Sequence, residues 1–243
     1  GDPDNRLPNT CNIAFEFIEG EAILMLLNKQ LKQEIVERKL AEYKLKQSNN
    51  QLENNLDEMV RAMSLTVEER DPYTAGHQRR ATELAVALAR EMGLSNQQCK
   101  SLRMAGLIHD MGKIAIPAEI LSKPGGLNKV EFQLIQRHPQ VGYDILKQFE
   151  FPGAVDRIVL QHHERLNGSG YPQGLAGDNI LLEARILCIA DVVETIDSHR
   201  PYRPGRGLDV ALQEIRKNRG LLYDPQGVDA CLALFKSKNF HYS

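Results

Sequence analysis

The segment MAGLIHDMGK, at residues 104–113, joins an apolar helical run to a pair of polar side chains. The run Met104–Ile108 is followed at once by His109 and Asp110. The same arrangement recurs twice further along the chain: His162-His163 follows the apolar residues 158–160, and Asp191 follows residues 186–190. Alternating strand patterns with hairpin turns are scarce. Because helical periodicity dominates, the sequence predicts an all-α domain whose apolar helices end in side chains that can bind metal.

Capping signals predict where other helices begin. Ser95 is followed three residues later by Gln98, and Asn128 by Glu131, so each pair predicts a capping box at a helix start. One apolar helical face is also predicted at residues 81–88. Further helices are predicted at about 139–148, 153–163, 183–199, 208–218 and 225–235, with Gly-bearing loops at 122–128 and 166–178.

Residues 21–70 contain no Gly or Pro and are rich in the helix formers Leu, Glu, Lys and Gln. Seven apolar residues fall on an a/d heptad seam: Leu31, Ile35, Leu45, Leu52, Leu56, Met59 and Met63. Three polar residues, Arg38, Glu42 and Asn49, interrupt the seam. The pattern predicts one long signalling helix that pairs with a second copy as a coiled coil. The alternative is a helix that folds back on its own domain.

The bulk composition limits the class of protein. The chain of 243 residues has 42% apolar and 26% charged residues, which is an ordinary globular balance. Its formal charge of -2 gives no global field that would recruit nucleic acid or an anionic membrane. The four cysteines form no CxxC pair, which argues against a zinc ribbon or a disulfide scaffold and favours the reducing cytoplasm. No apolar run reaches the roughly 20 residues of a membrane span, so a membrane tether is expected only upstream of this sequence.

Seven side chains are candidate ligands of one metal site: His77, His109, Asp110, His138, His162, His163 and Asp191. A single histidine beside an apolar face is more often a hydrogen-bonded core residue, and a single aspartate can cap a helix. Repetition favours metal, because several groups that are costly to bury end one apolar helix after another and need a common partner. Imidazole mixed with carboxylate, without thiolate, suits iron, manganese or another divalent metal. Two such ions would support phosphodiester hydrolysis.

Lys113 follows Asp110 by three residues. On a continuing helix the two side chains would lie near the same face, where the ammonium group could neutralise a phosphate. The alternative is a solvated surface lysine.

Taken together, the motifs resemble the HD-GYP domain of the HD phosphohydrolase superfamily. The resemblance covers about residues 65–238, in the family's order. It rests on DPYTAGH at 71–77, HDMGK at 109–113, RHP at 137–139, HHE at 162–164, NGSGYP at 167–172, IAD at 189–191 and HRPYR at 199–203. It implies an all-α HD-type domain, here at residues 71–243. The implied activity is hydrolysis of cyclic di-GMP, a bacterial second messenger, to pGpG, with a further step to GMP left open.

The resemblance also implies a role for each matched residue. One metal would be held by His77, His109, Asp110 and Asp191, and a second by Asp110, His138, His162 and His163. Asp110 would bridge the two metals, a bridging hydroxide would attack phosphorus, and Lys113 would contact the phosphate and stabilise the leaving oxygen. Asp110 and Lys113 are therefore the predicted catalytic residues. Predicted substrate contacts are Lys113, Gly170, Tyr171, Arg200 and Arg203, although Tyr171 could instead anchor its loop.

One position departs from the family pattern. Some members have a Glu four residues before the first His and bind a third metal, whereas this chain has Tyr73 there. Two divalent metal ions, Fe or Mn, are therefore predicted. The expected partners are cyclic di-GMP, a second copy bound through the N-terminal helix, and an upstream sensor or receiver domain. Neither membrane nor nucleic-acid polymer is expected to bind directly. Residues 1–20 are predicted to be a linker or an expression remnant.

Two other functions stay open. The ligand set recognises phosphate rather than base, so the substrate could be another cyclic dinucleotide, such as cyclic GMP-AMP, or a nucleotide phosphate. A non-catalytic receptor that binds a cyclic dinucleotide and signals through the coiled coil is the third alternative.

Overall fold

The computed structural model describes residues 9–70, 76–123, 125–198, 206–237 and 240–242. Within these ranges the chain is all-α, as predicted, and contains no strand. The ten α-helices are α1 Asn9–Glu68, α2 His77–Glu91, α3 Asn96–Ile108, α4 Ala118–Leu121, α5 Lys129–Ile135, α6 His138–Leu146, α7 Val155–Gln161, α8 Leu182–Asp197, α9 Leu208–Lys217 and α10 Pro225–Ser237. Short 3-10 helices lie at Met111–Ala115 and Gly177–Asn179. None of the described helices combines the length and the apolarity that crossing a bilayer requires.

The chain divides into two compact units, Gly1–Leu56 and Asp57–Ser243. The first contains most of α1, which is already helical at Asn9 and includes Gly20, within the residues predicted to be a linker or an expression remnant. A glycine inside a helix costs only about 1 kcal/mol relative to alanine, so a helix of this length tolerates it. The apolar seam residues Leu31, Ile35, Leu45 and Leu52 are exposed to solvent. This division falls within α1, and the boundaries at 20/21 and 70/71 stay predictions from the sequence.

The last turns of α1 belong to the second unit. Val60 and Val67 are buried there, and the Ser64 hydroxyl donates to the side-chain oxygen of buried Gln78 on α2. Arg103 on α3 forms a paired hydrogen bond with the carboxylate of Asp57, with both N–O distances at 3.0 Å. The end of the long helix is therefore part of the domain core rather than only a connection to it.

Helices α2, α3 and α8 pack together at the centre of the second unit. Their apolar faces supply the fully buried core: Leu84, Leu88, Leu102, Ile108, Ile186, Leu187 and Ile189. Helix α7 packs against α3, α6 and α8, and the 3-10 helix Met111–Ala115 packs against α6. Both predicted capping boxes form, at Ser95 with Gln98 and at Asn128 with Glu131. This packing places the ends of α3 and α7, and the starts of α2 and α6, around the middle of α8.

Candidate metal centre

The seven predicted ligands converge in the second unit, although they are spread over more than 110 residues of sequence. His77 begins α2, His109 and Asp110 follow α3, His138 begins α6, His162 and His163 follow α7, and Asp191 lies within α8. Six of them are buried, and His163 is partly exposed. Their roles as ligands stay predictions, but the structure brings all seven side chains together.

The cluster contains three groups whose ligand atoms all lie within 4.8 Å of one another. The first group is His77, His109 and Asp191, and the second is His138, His162 and His163. The third is His109, Asp110 and His162, which connects the other two. In the first group, Oδ1 of Asp191 lies 3.1 Å from Nε2 of His77 and 4.0 Å from Nε2 of His109.

Asp110 lies between the two groups. Its Oδ1 is 3.3 Å from Nε2 of His138, and its Oδ2 is 3.6 Å from Nε2 of His109. One carboxylate therefore presents an oxygen atom to each group. This is the geometry that a bridging ligand requires.

Two histidine nitrogens show that the cluster suits a cation. Nδ1 of His138 lies 2.7 Å from the Ile135 carbonyl, and Nδ1 of His162 lies 2.6 Å from the Val159 carbonyl. A carbonyl oxygen only accepts, so each Nδ1 carries the proton and each neutral ring has a lone pair on Nε2. These two Nε2 atoms face each other at 3.2 Å. Two buried lone pairs at that distance need a shared positive partner, which a divalent metal supplies.

The electrostatics of the imidazoles agree with that requirement. Burial lowers the pKa of His138 to about 4 and that of His163 to about 3. Burial also holds the pKa of His162 well below its ordinary value. The three rings are therefore neutral near pH 7, and neutral imidazole is the form that binds metal.

The two aspartates have the opposite charge state. Burial would raise the pKa of Asp110, but the charges of Lys113 and the neighbouring histidines hold it well below its ordinary value. Burial would likewise raise the pKa of Asp191, but its hydrogen bond and charge interaction with His77 hold it low. Both carboxylates are therefore anionic. Burial alone would lower the pKa of His77, but its contacts with Asp191 and Glu194 raise that pKa to about 9, so this ring must release a proton to bind an ion. Three neutral imidazoles and two anionic carboxylates form a donor set that suits a divalent metal ion.

Lys113 reaches Asp110, but not along a continuing α-helix. Helix α3 ends at Ile108, and Lys113 lies in the 3-10 helix Met111–Ala115. Side chains three residues apart are aligned in 3-10 geometry, and Nζ of Lys113 lies 2.8 Å from Oδ2 of Asp110. The idea that α3 continues to Lys113 was therefore wrong, but the Lys113 side chain does lie beside Asp110.

Gly112 permits this turn to approach α6. A Cβ atom at Gly112 would lie 1.9 Å from the carbonyl oxygen of His138 and 2.7 Å from the backbone nitrogen of Gly142. Both are backbone atoms, so a side chain could be accommodated only by moving the turn or the helix. The glycine thus places Asp110 and Lys113 beside His138.

The loop after α7 covers one edge of the cluster. The Tyr171 ring packs on the His163 ring, with the centroids 4.8 Å apart, and the Tyr171 N–H donates to the His163 carbonyl at 3.3 Å. A Cβ atom at Gly170 would lie 2.4 Å from the backbone nitrogen of Arg165, so only glycine fits there. The predicted contact residues Gly170 and Tyr171 therefore lie beside the candidate metal ligands.

Three further predictions lie outside the described residues. They are the substitution at Tyr73 and the substrate contacts of Arg200 and Arg203. These residues stay predictions from the sequence.

Two buried carboxylates were given no role by the sequence reasoning. The Glu164 carboxylate accepts hydrogen bonds from three backbone N–H groups of the loop: Gln173 at 2.7 Å, Gly174 at 3.2 Å and Leu175 at 2.9 Å. Glu194 contacts His77 from α8. Glu194 follows Asp191 by three residues on a predicted helix, and that spacing could have indicated that it shares the face of Asp191. The contacts of Glu164 had no comparable signal, because they depend on the path of an irregular loop.

The all-α domain and its buried cluster of histidines and aspartates are typical of proteins that bind divalent metal ions. The family model of the HD domain matches residues 61–227. The chain belongs to the HD domain family.

Known relatives support this assignment. Over 211 residues the chain is 40% identical to the cyclic di-GMP phosphodiesterase response regulator RpfG of Xanthomonas campestris, covering 86% of this chain and 56% of that protein. Over 181 residues it is 35% identical to the 3'3'-cGAMP-specific phosphodiesterase 3 of Vibrio cholerae, covering 74% of this chain and 38% of that protein. The chain thus spans about half or less of the length of these curated relatives.

The fold also matches a solved structure. A cyclic GMP-AMP specific phosphodiesterase of V. cholerae, V-cGAP3, superimposes with a TM-score of 0.58 at 19% identity. The match covers 75% of this chain and 49% of that one. At this identity the likeness establishes the fold alone.

Proposed function

We propose that the chain is the catalytic part of a metal-dependent phosphodiesterase of the HD-GYP type, which hydrolyses cyclic di-GMP to pGpG and onward to GMP. The observation that carries this proposal is the position of Asp110. Its carboxylate faces both groups of histidines, and Lys113 lies beside the same carboxylate. A site of this kind can hold two cations and present the Lys113 ammonium group to an anionic substrate.

The metal assignment follows from the two groups. His77, His109 and Asp191 would hold one divalent ion, and His138, His162 and His163 would hold the other, with Asp110 between them. The proposed ions are Fe or Mn, because the donors are imidazole and carboxylate. When bound, such ions supply Lewis-acid polarisation of a phosphodiester and make water nucleophilic near neutral pH.

The protein's own groups would orient and neutralise the substrate. The Lys113 ammonium would donate to a phosphate oxygen, exchanging part of its ion pair with Asp110 for the ligand. The Tyr171 ring, already packed on His163, would form a wall of the cleft next to the phosphate. Lys113 would then stabilise the negative charge that develops as the ester bond breaks. Arg200 and Arg203 are proposed as further contacts to the substrate.

Cyclic di-GMP is the first choice of substrate, because a relative of 40% identity is named for that activity. Cyclic GMP-AMP is the second candidate, because a relative of 35% identity is named for it. The described ligands contact phosphate and do not distinguish the bases. Competition between the two substrates in one reaction, followed by chromatography of the products, decides between them.

The direct test of the activity uses protein loaded anaerobically with Fe²⁺, or with Mn²⁺. We expect cyclic di-GMP to be converted to pGpG and GMP, and Asp110→Ala to abolish the conversion while helix content, measured by circular dichroism, is retained. Tight binding of cyclic di-GMP without turnover in a metal-replete sample would instead support the receptor alternative.

The exposed seam on α1 supports a homodimer. Leu31, Ile35, Leu45 and Leu52 are exposed within one helix, and burial of such a stripe is what drives coiled-coil pairing. We expect sedimentation to show a dimer, and Leu45→Lys with Leu52→Lys to shift it towards monomer. Glu37→Lys, away from the seam, is the charge-changing control. A monomeric wild-type chain would contradict this part of the proposal. We also propose a cytoplasmic location and an upstream sensor or receiver domain.

A further inference from the structure

The cluster histidines that lie near the ends of helices are oriented by backbone carbonyl groups. In three of them, Nδ1 lies 2.6–2.7 Å from the carbonyl oxygen of the residue three positions earlier: Gly106 for His109, Ile135 for His138 and Val159 for His162. This contact fixes the proton on Nδ1 and turns Nε2 towards the cluster. The backbone thus sets both the tautomer and the direction of these rings.

His77 is the first residue of α2 and follows Gly76, and the residue three positions before it lies outside the described residues. Its Nδ1 contacts Oε2 of Glu194, while its Nε2 faces Oδ1 of Asp191 at 3.1 Å. Glu194 follows Asp191 on α8 by about one helical turn and is 1% exposed. A carboxylate therefore occupies the position that carbonyl groups occupy at the other three rings.

The second oxygen of Glu194 is held separately. Oε1 accepts from Arg80, with Nε at 2.7 Å and Nη2 at 2.6 Å, and from the Ser198 hydroxyl at 2.5 Å. Both partners contact Oε1, so Oε2 is left for His77. The contacts with Arg80 and Ser198 thus fix the orientation of the carboxylate that faces His77.

We propose that Glu194 is a positioning residue of the metal centre, which holds His77 through Nδ1 and so aims Nε2 at the ion shared with His109 and Asp191. A carboxylate behind a ligating imidazole fixes the ring and increases the basicity of its free nitrogen. Of the two proposed ions, only the one bound by His77 would depend on Glu194. This inference rests on the proposed function, because it takes His77 to be a ligand.

The alternative is that Glu194 only completes a buried ion pair with Arg80. The two roles predict different effects of a Glu194 substitution on metal affinity and on stability, depending on whether His77 is present. A positioning residue changes metal affinity only when His77 is present, whereas a packing residue changes stability whether or not His77 is present. A double-mutant cycle on the two residues separates them.

The test measures Mn²⁺ affinity by competition with a chelator, and the visible spectrum of the Co²⁺-loaded protein, for Glu194→Gln, His77→Ala and the double variant. We expect Glu194→Gln to weaken one of two binding steps by roughly 10- to 100-fold and to alter the Co²⁺ spectrum. In the His77→Ala background, Glu194→Gln should have no further effect. Glu214→Gln is the matched control, since this α9 carboxylate accepts from Asn218 and belongs to none of the groups of candidate ligands.

Asp110→Ala separates failure of this inference from failure of the metal proposal. If Asp110→Ala loses metal while Glu194→Gln binds both ions as the wild type does, the role of Glu194 is overturned and the metal centre stands. If Asp110→Ala binds metal normally, the metal centre itself is overturned. Equal losses from Glu194→Gln with and without His77 would assign Glu194 to packing. Should Glu194→Gln fail to fold, Glu194→Asp, which keeps the charge but shortens the reach, replaces it under the same criteria.

Discussion

The Nε2 atoms of His138 and His162 lie 3.2 Å apart. Neither carries a proton, because each ring donates its one N–H through Nδ1 to a backbone carbonyl. This contact brings two lone pairs together in a buried site. A bound cation replaces that repulsion with two coordination bonds, so metal should stabilise the fold as well as support chemistry.

Metal loading is therefore expected to raise the melting temperature. At a free metal concentration of 100 times the dissociation constant, one site contributes about 2.7 kcal/mol. For a domain of this size that corresponds to a rise of roughly 5–10 °C. Thermal unfolding with Mn²⁺ and with EDTA measures the difference, and Ca²⁺, which prefers oxygen ligands, is the control. Identical melting temperatures with Mn²⁺ and EDTA would contradict the proposed site.

Replacing Lys113 should impair turnover without emptying the site. Lys113→Met removes the ammonium group but keeps most of the side-chain length, and we expect kcat to fall by about 100- to 1000-fold, as is typical when one stabilising donor is lost. Metal equivalents per chain should stay at the wild-type value. Lys113→Arg restores the charge and should recover part of kcat. Wild-type kcat in Lys113→Met would exclude the proposed role of the lysine in stabilising the leaving group.

A side chain added at Gly112 should destabilise the fold. A Cβ atom there would lie 1.9 Å from the His138 carbonyl oxygen, so Gly112→Ala must displace the turn or α6. We expect the free energy of unfolding to fall by about 1–3 kcal/mol, as for other overpacked sites. Gly126→Ala is the control, because nothing lies within 4 Å of its added Cβ. Urea unfolding of both variants makes the comparison, and equal stability would refute the close approach.

Glu164 is expected to matter for the substrate more than for the metal. Its carboxylate accepts from the backbone of Gln173, Gly174 and Leu175, and these bonds hold the loop that carries Tyr171. Glu164→Gln removes the charge and one acceptor oxygen, which costs about 1–3 kcal/mol locally. The expected result is a raised KM for cyclic di-GMP with unchanged metal content. Glu183→Gln, a more distant carboxylate that accepts from Gln98, is the control.

The sequence predicted most of the helices, because their periodicity and caps are local signals. Ser95 with Gln98 and Asn128 with Glu131 each mark a helix start through contacts three residues apart, and both form. The start of α1 was missed, because residues 1–20 were assigned to a linker or an expression remnant, although a single glycine such as Gly20 costs a long helix little. The 3-10 helix at Met111–Ala115 was also missed, since the helical pattern does not reveal where the hydrogen-bonding register changes.

The convergence of His77, His109 and Asp191 was inferred from repetition and from family resemblance, and the structure brings their side chains together. The supporting carboxylates had weaker signals. Glu194 contacts a histidine 117 residues away, and Glu164 contacts an irregular loop, so both roles depend on tertiary packing. Spacing along a helix can place Glu194 on the face of Asp191, but it does not reveal which histidine lies opposite.

The central claim is that Asp110 joins two metal ions in one hydrolytic site. Elemental analysis of anaerobically purified protein, with turnover of cyclic di-GMP measured on the same samples, tests it most directly. We predict two equivalents of Fe or Mn per chain and release of pGpG from the wild type, with loss of both metal and turnover in folded Asp110→Ala. One equivalent or none in an active wild-type sample, or turnover retained in Asp110→Ala, would contradict it.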